Sequence, residues 1–368
     1  MEHHIVHLTS VHPRYDTRIF LKMCSSLASQ NYHVSLVVAD GMDSEVKNGV
    51  NIVDVGARTG GRLSRMTKTV SRVFNKAKEL DADIYHLHDP ELIPIGLKLK
   101  KSGKKVIFDA HEDLPKQLLS KPYLNKQLLF ILSKAFSVFE KWSCKQLDAV
   151  ISATPAITDK FRTINTNAVT INNFPILGEL STAKNKYVER NKVIFVGGMS
   201  KIRGITELVG AANIITNKLI LVGNVSCSSY LNQLSDMPGW YNVEAVGQKD
   251  REEVAELLSQ SFAGIVTYLP LPNHVDAQPN KMFEYMSAGV PVIASHYPLW
   301  KEIVEGSKCG ICVDPEDPVA IANAIEKLAS NPELVEVMSK NGQDAVVSKY
   351  NWGAEEKNLF NLYQGILS

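Results

Sequence analysis

Residues 276–294 read Asp276-Ala-Gln-Pro-Asn-Lys-Met-Phe-Glu284-Tyr-Met-Ser-Ala-Gly289-Val-Pro291-Val-Ile-Ala294. A Pro-Asn pair turns the chain into a helix beginning near Lys281, and Ser287-Ala288-Gly289 ends that helix. The apolar run from Pro291 then enters a buried strand. Loop, helix, glycine stop and apolar strand together make one α-to-β unit of a parallel sheet. Two carboxylates eight positions apart, Asp276 in the loop and Glu284 in the helix, are its most specific feature. An acid near a helix start can serve the helix dipole or a ligand, and the stretch alone leaves both open.

The same unit recurs outward from there. Short β-branched runs at 192–196, 218–222, 241–245, 264–267 and 291–294 alternate with helical segments. The first half repeats the pattern at 3–9, 33–39, 84–88, 105–109, 149–153 and 168–172, with helices over about 17–30 and 92–101. Such alternation requires β-α-β crossovers, so the expected class is α/β with two Rossmann-like, doubly wound parallel sheets. The polar, aperiodic stretch 177–191 suits a linker. The expected parts are therefore a domain over 1–176, a second over 192–350, and an amphipathic terminal helix over 351–368. Two such domains are expected to face across a cleft at the C-terminal ends of their strands, where α/β sheets take ligands.

Composition narrows the class of function. Of 368 residues 45% are hydrophobic, enough for two cores and against a disordered chain, and 40 Lys+Arg balance 39 Asp+Glu. That neutral sum hides a partition: residues 1–192 carry a net of +9 and residues 193–368 a net of −8. The start, Met1-Glu2-His3-His4-Ile5, lacks the pattern of a signal peptide, and no run reaches the length of a membrane span; 128–139 comes nearest but contains Lys134. The expected location is cytoplasmic. Five scattered cysteines give no disulfide framework; Cys309-Gly-Ile-Cys312 has CxxC spacing but no second pair, and reads as buried thiols with redox or metal roles the weaker option.

Two further clusters could carry chemistry. Val196-Gly197-Gly198-Met199-Ser200-Lys201-Ile202-Arg203-Gly204 follows a strand and precedes a helix, so it is either a plain β-α turn or a phosphate cradle of helix amides with Lys201 and Arg203. His86-Leu-His88-Asp89 alternates two imidazoles onto one face; a metal pair is conceivable, and a loop at the cleft is the better reading. No His/Cys ligand cluster stands out elsewhere, so no metal or other cofactor is expected.

The 276–294 stretch resembles the E-x7-E signature of retaining nucleotide-sugar glycosyltransferases of family 4, with Pro272, Asp276, Glu284, Met286, Gly289 and Pro291 in register. Segment 197–204 resembles that family's phosphate loop. Leu221-Val222-Gly223, Val246-Gly247, Glu302-Ile-Val and Gly310 match its strand ends, and Asp16-Thr17-Arg18, His86 to Asp89 and Asp109-Ala-His111-Glu112 agree less specifically. The resemblance implies the GT-B architecture, with the terminal helix crossing back to the first domain. It implies donor contacts from Gly198, Arg203, Gln248, Asn280, Lys281 and Glu284, the last on ribose hydroxyls. It gives His111, Asp276 and Arg203 catalytic roles, and places Arg14, Asp16, Asp89 and Glu112 on the acceptor side. Two departures stand out: Asp276 replaces the first Glu, and Gly198 replaces an Arg, leaving Arg203 and Lys281 to neutralise the leaving diphosphate without a metal. An epimerase acting on the nucleotide sugar, and a non-catalytic sugar-binding protein, are the alternatives.

The cationic half suggests a partner. Arg58, Arg62, Arg65, Lys68, Arg72, Lys76 and Lys78 follow one another at mostly helical spacing with no acid among them, opposite a stripe of Leu63, Met66, Val70, Val73, Phe74 and Ala77. This is either a solvated face or a docking face, formed by Arg62, Arg65, Lys68, Arg72 and Lys76, for an anionic membrane and a polyprenyl-diphosphate-linked saccharide acceptor. Nucleic acid fits less well, for want of aromatic interleaving. The expected activity is transfer of a sugar from a nucleotide diphosphate sugar, weakly UDP-linked, in surface polysaccharide assembly at the inner face of the cytoplasmic membrane.

Overall fold

The computed structural model describes residues 3–119, 125–180 and 190–368. The chain divides into two compact units, Met1–Asn173 with Trp352–Ser368, and Phe174–Asn351. Part of the expected linker, 181–189, lies outside the described residues.

Unit 1 has, among its described residues, eight strands: β1 (His4–Leu8), β2 (His33–Val38), β3 (Glu45–Lys47), β4 (Val50–Asp54), β5 (Ile84–Leu87), β6 (Lys105–Ala110), β7 (Ala149–Ser152) and β8 (Ala168–Thr170). They lie in the order β3-β4-β2-β1-β5-β6-β7-β8. All pair in parallel except β3, which runs antiparallel to β4. Strand order reverses between β1 and β5, and there His7 and His86 stand side by side in register. The central strands are buried on both faces, Val34, Leu36, Ile84, Leu87, Val106 and Ile107 having no exposed surface, as expected for a sheet covered on both sides.

Unit 2 has, among its described residues, six strands: β9 (Lys192–Val196), β10 (Lys218–Val222), β11 (Val243–Gly247), β12 (Ser261–Val266), β13 (Val292–Ser295) and β14 (Gly310–Val313). Their order is β11-β10-β9-β12-β13-β14, all parallel, with the reversal between β9 and β12. The helix Asn280–Ser287 connects β12 to β13 and buries Met282, Phe283, Tyr285 and Met286 against the sheet. Gly264 has no side chain because a Cβ there would lie 2.4 Å from the Tyr285 ring, and the Tyr285 hydroxyl accepts the Val196 N–H at 2.9 Å.

The terminal helix Trp352–Leu367 belongs to unit 1, where it buries Trp352, Leu359, Leu362, Tyr363 and Ile366. Its Trp352 indole donates to Ser26 Oγ at 2.8 Å, and Glu355 accepts both the backbone N–H and the side-chain amide of Asn172 at 2.9 Å.

Two sequence expectations change. Strands β3 and β4 add to the expected set; their signal is Asn48-Gly49, which turns the hairpin with φ of 51° and 74° at the two positions. The cationic segment is helical, as Arg62–Ser64, a π-helical run Arg65–Thr69, and Val70–Leu80. Its apolar stripe is broken: Val70, Val73 and Ala77 are buried, whereas Leu63 is 78% and Met66 47% exposed. A π-helical turn takes an extra residue and so rotates the residues before it relative to those after it.

Candidate functional site

In unit 2 the strand that ends at Val196 opens into Gly197 and Gly198, followed by a tight turn Lys201–Arg203 and the helix Ile205–Ala212. Gly204 is at φ +71°, and a Cβ on it would lie 2.0 Å from the Thr267 carbonyl, so only glycine lets this loop reach β12. Arg203 folds back over the glycines, donating from Nη1 to the Gly198 carbonyl at 3.1 Å, and its guanidinium lies 5.6 Å from the Tyr268 ring centre. Burial pushes the Tyr268 hydroxyl up, with Arg203 opposing and Glu284 reinforcing, so both charges act on the one ring.

Glu284 is 8% exposed and carries two cations. Lys281 donates to its Oε2 at 2.6 Å and Arg251 to its Oε1 at 2.9 Å, while Arg251 also reaches Glu179 at 2.6 Å. Burial alone would raise the Glu284 carboxyl, but Lys281 and Arg251 hold it below its ordinary value. Thus Glu284 and Lys281 are brought together, and Lys281 is not an isolated charge. Asn280 opens the helix behind Pro279, and Asp276 is exposed in the preceding loop. That loop is pinned by Trp300, which donates to the Ala277 carbonyl at 2.7 Å. Gln248 is exposed and accepts from Asn224 at 2.8 Å.

Sequence reading missed Arg251 and Glu179. It also missed Thr267, Asn273 and Gln278, three residues between β12 and the helix whose buried Oγ1, Oδ1 and Oε1 have no hydrogen-bond partner among the described residues. Buried polar atoms without partners are few in native folds, and three on one loop suit a ligand that supplies them. Arg251 begins a helix with an Asp250/Glu253 capping box, so its local sequence shows only an ordinary helix start.

In unit 1 the corresponding place is filled by rings. His7, His86 and His88 are buried on and just after β1 and β5, and His111 follows β6 half-buried. Successive ring centres lie 4.7 Å (His7 to His86), 4.5 Å (His86 to His88), 5.7 Å (His88 to His111) and 5.2 Å (His111 to His12) apart. Tyr363, from the terminal helix, meets His86 Nδ1 at 2.7 Å, and His7 Nδ1 meets His88 Nε2 at 2.8 Å. Burial holds His7 and His86 well below the usual imidazole range, so both are neutral.

Asp109 closes the cluster. Arg18 donates to its Oδ2 from Nε at 2.9 Å and to its Oδ1 from Nη2 at 2.8 Å. Burial would raise this carboxyl, but Arg18 and the neighbouring imidazoles keep it well below its ordinary value. Two sets of metal-competent donors lie within 4.8 Å of one another, His7–His86–His88 and His88–Asp109–His111. In the second both Asp109 oxygens are taken by Arg18, and in the first His7 and His88 already bond each other.

The residues expected on the acceptor side are placed as follows. Arg14 is buried and donates to Asp40 through Nε and Nη2 and, through Nη1, to Glu45 and the Asp43 carbonyl, all at 2.8–2.9 Å. Asp89 is buried and accepts from the Ser10 backbone at 2.6 Å and the Thr9 hydroxyl at 2.9 Å, tying β1 to β5. Asp16 caps the helical run Thr17–Cys24, accepting from Arg18 and Ile19 N–H at 2.9 Å, and stands 3.4 Å from His12. Glu112 accepts from the Gln117 side chain. Arg14, Asp16 and Asp89 therefore hold the loops that frame the histidines.

Among the described residues, the surface of unit 1 carries an uncovered apolar face. The helix Lys126–Cys144 exposes Phe130 (56%), Ile131 (62%), Val138 (70%) and Trp142 (58%), with Lys126, Lys134 and Lys141 exposed among them. On the cationic segment, Arg65 pairs with Glu91 at 2.8 Å, Arg72 donates to the Ala57 carbonyl at 2.9 Å, Lys76 pairs with Glu79, and Lys68 is exposed. The side chain of Arg62 lies outside the described residues. Among the described residues no helix is long and apolar enough to cross a membrane.

Residues 178–345 match the model of the family described as Glycosyl transferases group 1, and residues 17–174 that described as Glycosyltransferase Family 4. A phosphatidyl-myo-inositol mannosyltransferase of Mycobacterium leprae is 24% identical over 83% of this chain and 79% of its own. The capsular polysaccharide biosynthesis glycosyltransferase CapM of Staphylococcus aureus is 26% identical over 51% of this chain and 50% of its own. The match spans about half the length of several such relatives. Anabaena HepE, solved with UDP-glucose, superposes with a TM-score of 0.74 at 14% identity, over 99% of this chain and 100% of that one.

Proposed function

The chain belongs to the family 4 type of GT-B glycosyltransferases, and from that premise we propose that it transfers a sugar, with retention of configuration, from a nucleotide diphosphate sugar to a lipid-linked saccharide in surface polysaccharide assembly. The observation that carries the reading is Arg203 over the Tyr268 ring at the strand reversal of unit 2, together with the Lys281–Glu284–Arg251 cluster of the same unit. Cleaving a sugar–diphosphate bond leaves negative charge on the phosphates. Arg203 and Lys281, fixed before the reaction begins, lower the cost of that charge without a divalent metal. Glu284, held ionised, accepts from ribose hydroxyls, and Asp276 holds sugar hydroxyls near the reacting carbon. HepE was solved with UDP-glucose, and a uridine donor is proposed for this chain as well.

Nucleotide release over a panel of nucleotide diphosphate sugars tests this. Arg203→Ala is expected to lower turnover about 10²–10³-fold while the donor still binds. Turnover equal to the parent would remove the leaving-group role, and conversion of the donor without acceptor would make the protein an epimerase.

The acceptor is proposed to be polyprenyl-diphosphate-linked and met at an anionic membrane surface. Phe130, Ile131, Val138 and Trp142 with Lys126, Lys134 and Lys141 supply the apolar and cationic components such a surface requires. In flotation with anionic vesicles, replacing Phe130, Ile131 and Trp142 by Ser is expected to abolish binding. Replacing Arg65, Lys68 and Arg72 by Glu is expected to weaken binding at low ionic strength and to matter less at high salt, where surface charges are screened. Flotation of both variants like the parent would end the membrane reading.

A further inference from the structure

We propose that Arg251 is a positioning residue that orients Glu284 to accept the ribose hydroxyls of the nucleotide, and that Glu179 is the counter-anchor that keeps Arg251 from closing on Glu284. This rests on the reading of the ligand as a nucleotide diphosphate sugar and adds the residues that ready its ribose acceptor. Arg251 divides its guanidinium between two carboxylates: Nη1 donates to Glu284 Oε1 at 2.9 Å, and Nη2 meets Glu179 Oε1 at 2.6 Å. It is the first residue of the helix Arg251–Ser259, where the helix dipole disfavours a cation and where Glu252 and Glu253 follow. The helix itself gives no reason for an arginine there; the two carboxylates do.

Glu179 is held independently of Arg251. Its segment is fixed in the core of unit 2 by the buried Phe174 and Leu180, and the Phe174 ring lies 4.7 Å from that of Phe283, on the same helix as Glu284. A guanidinium is a rigid planar fork, so the nitrogen taken by Glu179 sets the plane in which the other approaches Glu284. On the far oxygen, Lys281 donates to Glu284 Oε2 at 2.6 Å. An ionised carboxylate offers about four lone-pair sites. One cation on each oxygen leaves a site open on each, which is what two adjacent hydroxyls need. Without Glu179, Arg251 is released to grip Glu284 with two parallel N–H bonds, the geometry that arginine and carboxylate favour, and a hydroxyl loses its site. Arg251 Nε and Glu179 Oε2 are buried without a partner among the described residues. Each group thus forgoes part of its bonding capacity to keep this arrangement, which stability alone does not favour.

The test is calorimetric titration of the full chain with UDP, ADP and GDP and with their 2′-deoxy forms. Glu179→Ala removes a partly exposed anchor and leaves Arg251 paired with Glu284, so the fold keeps no unpaired charge. It is expected to weaken binding of the preferred nucleotide about three- to tenfold, and to have no effect when Glu284→Gln is already present. The preference for the ribonucleotide over its 2′-deoxy form is expected to fall by a like factor, a ratio that a merely structural ion pair would leave alone. Arg251→Lys, which can serve one carboxylate only, is expected to lower the same ratio and decides the matter should Glu179→Ala not fold. Equal losses from Glu179→Ala with and without Glu284→Gln, or a ribose preference unchanged in the variants, would overturn the proposal. A parent that binds the ribose and deoxyribose forms equally would overturn it too, while leaving the nucleotide-sugar reading in place. A parent that binds none of the nucleotides would refute that reading itself, and the proposal with it.

Discussion

At the point where strand order reverses, the first sheet gathers neutral rings and the second gathers ions. In unit 1, His7 and His86 are kept neutral by burial, and the ionised carboxylate among the rings, Asp109, is neutralised by Arg18. In unit 2 the buried Glu284 is paired with Arg251 and Lys281, and Arg203, Arg251, Lys281 and Glu179 stand at partly exposed positions. The two therefore differ in what they can discriminate. Ions bind a diphosphate strongly and respond to salt, whereas buried neutral rings distinguish donors from acceptors of hydrogen bonds and are insulated from ionic strength.

Three perturbations put that contrast to the test. Glu284→Gln leaves Arg251 and Lys281 with one charge fewer to hold them and removes an ionised acceptor. Nucleotide affinity by calorimetry is expected to fall about 10- to 100-fold, with a changed salt dependence, and an unchanged affinity would separate Glu284 from the ligand. Tyr363→Phe deletes the hydroxyl that meets His86 Nδ1 and leaves that nitrogen unpaired in the core. Thermal or urea unfolding is expected to show a loss of about 1–2 kcal/mol that salt does not alter; a salt-dependent loss would erase the distinction between the two sites.

The smallest effect concerns the frame around the rings. The Asp16 carboxyl is lowered to about 2: burial would raise it, but His12 and the Arg18 and Ile19 amides outweigh that. A depressed pKa stabilises the fold above the ordinary carboxylate value and loses that contribution as pH falls from about 4 towards 2. Asp16→Asn should therefore cost about 1 kcal/mol near neutrality, with parent and variant converging in unfolding experiments at acid pH.

What the sequence discloses depends on range. Strands β9 and β10 lie where the apolar runs begin and end, because a buried parallel strand is a local pattern. Asp276 and Glu284 could be found because they share one loop and helix. Arg251 could not, because its pairing with Glu284 spans 33 residues and with Glu179 reaches the other way along the chain. Tyr363 was legible only as an apolar helix position; its bond to His86 crosses 277 residues. The apolar face of Lys126–Cys144 was visible as the run nearest a membrane span, but only the fold shows that Phe130, Ile131 and Trp142 remain uncovered.

The terminal helix also bears on how the chain is made. Unit 2 is continuous in sequence, Phe174–Asn351, and can close as soon as those residues have left the ribosome. Unit 1 begins before unit 2 yet lacks Trp352, Glu355 and Tyr363 until all of unit 2 has been made, so its histidine cluster waits uncapped while the second sheet folds. The half that emerges first is thus the half that matures last, and a chain stalled before Trp352 would present a folded unit 2 beside an unfinished unit 1.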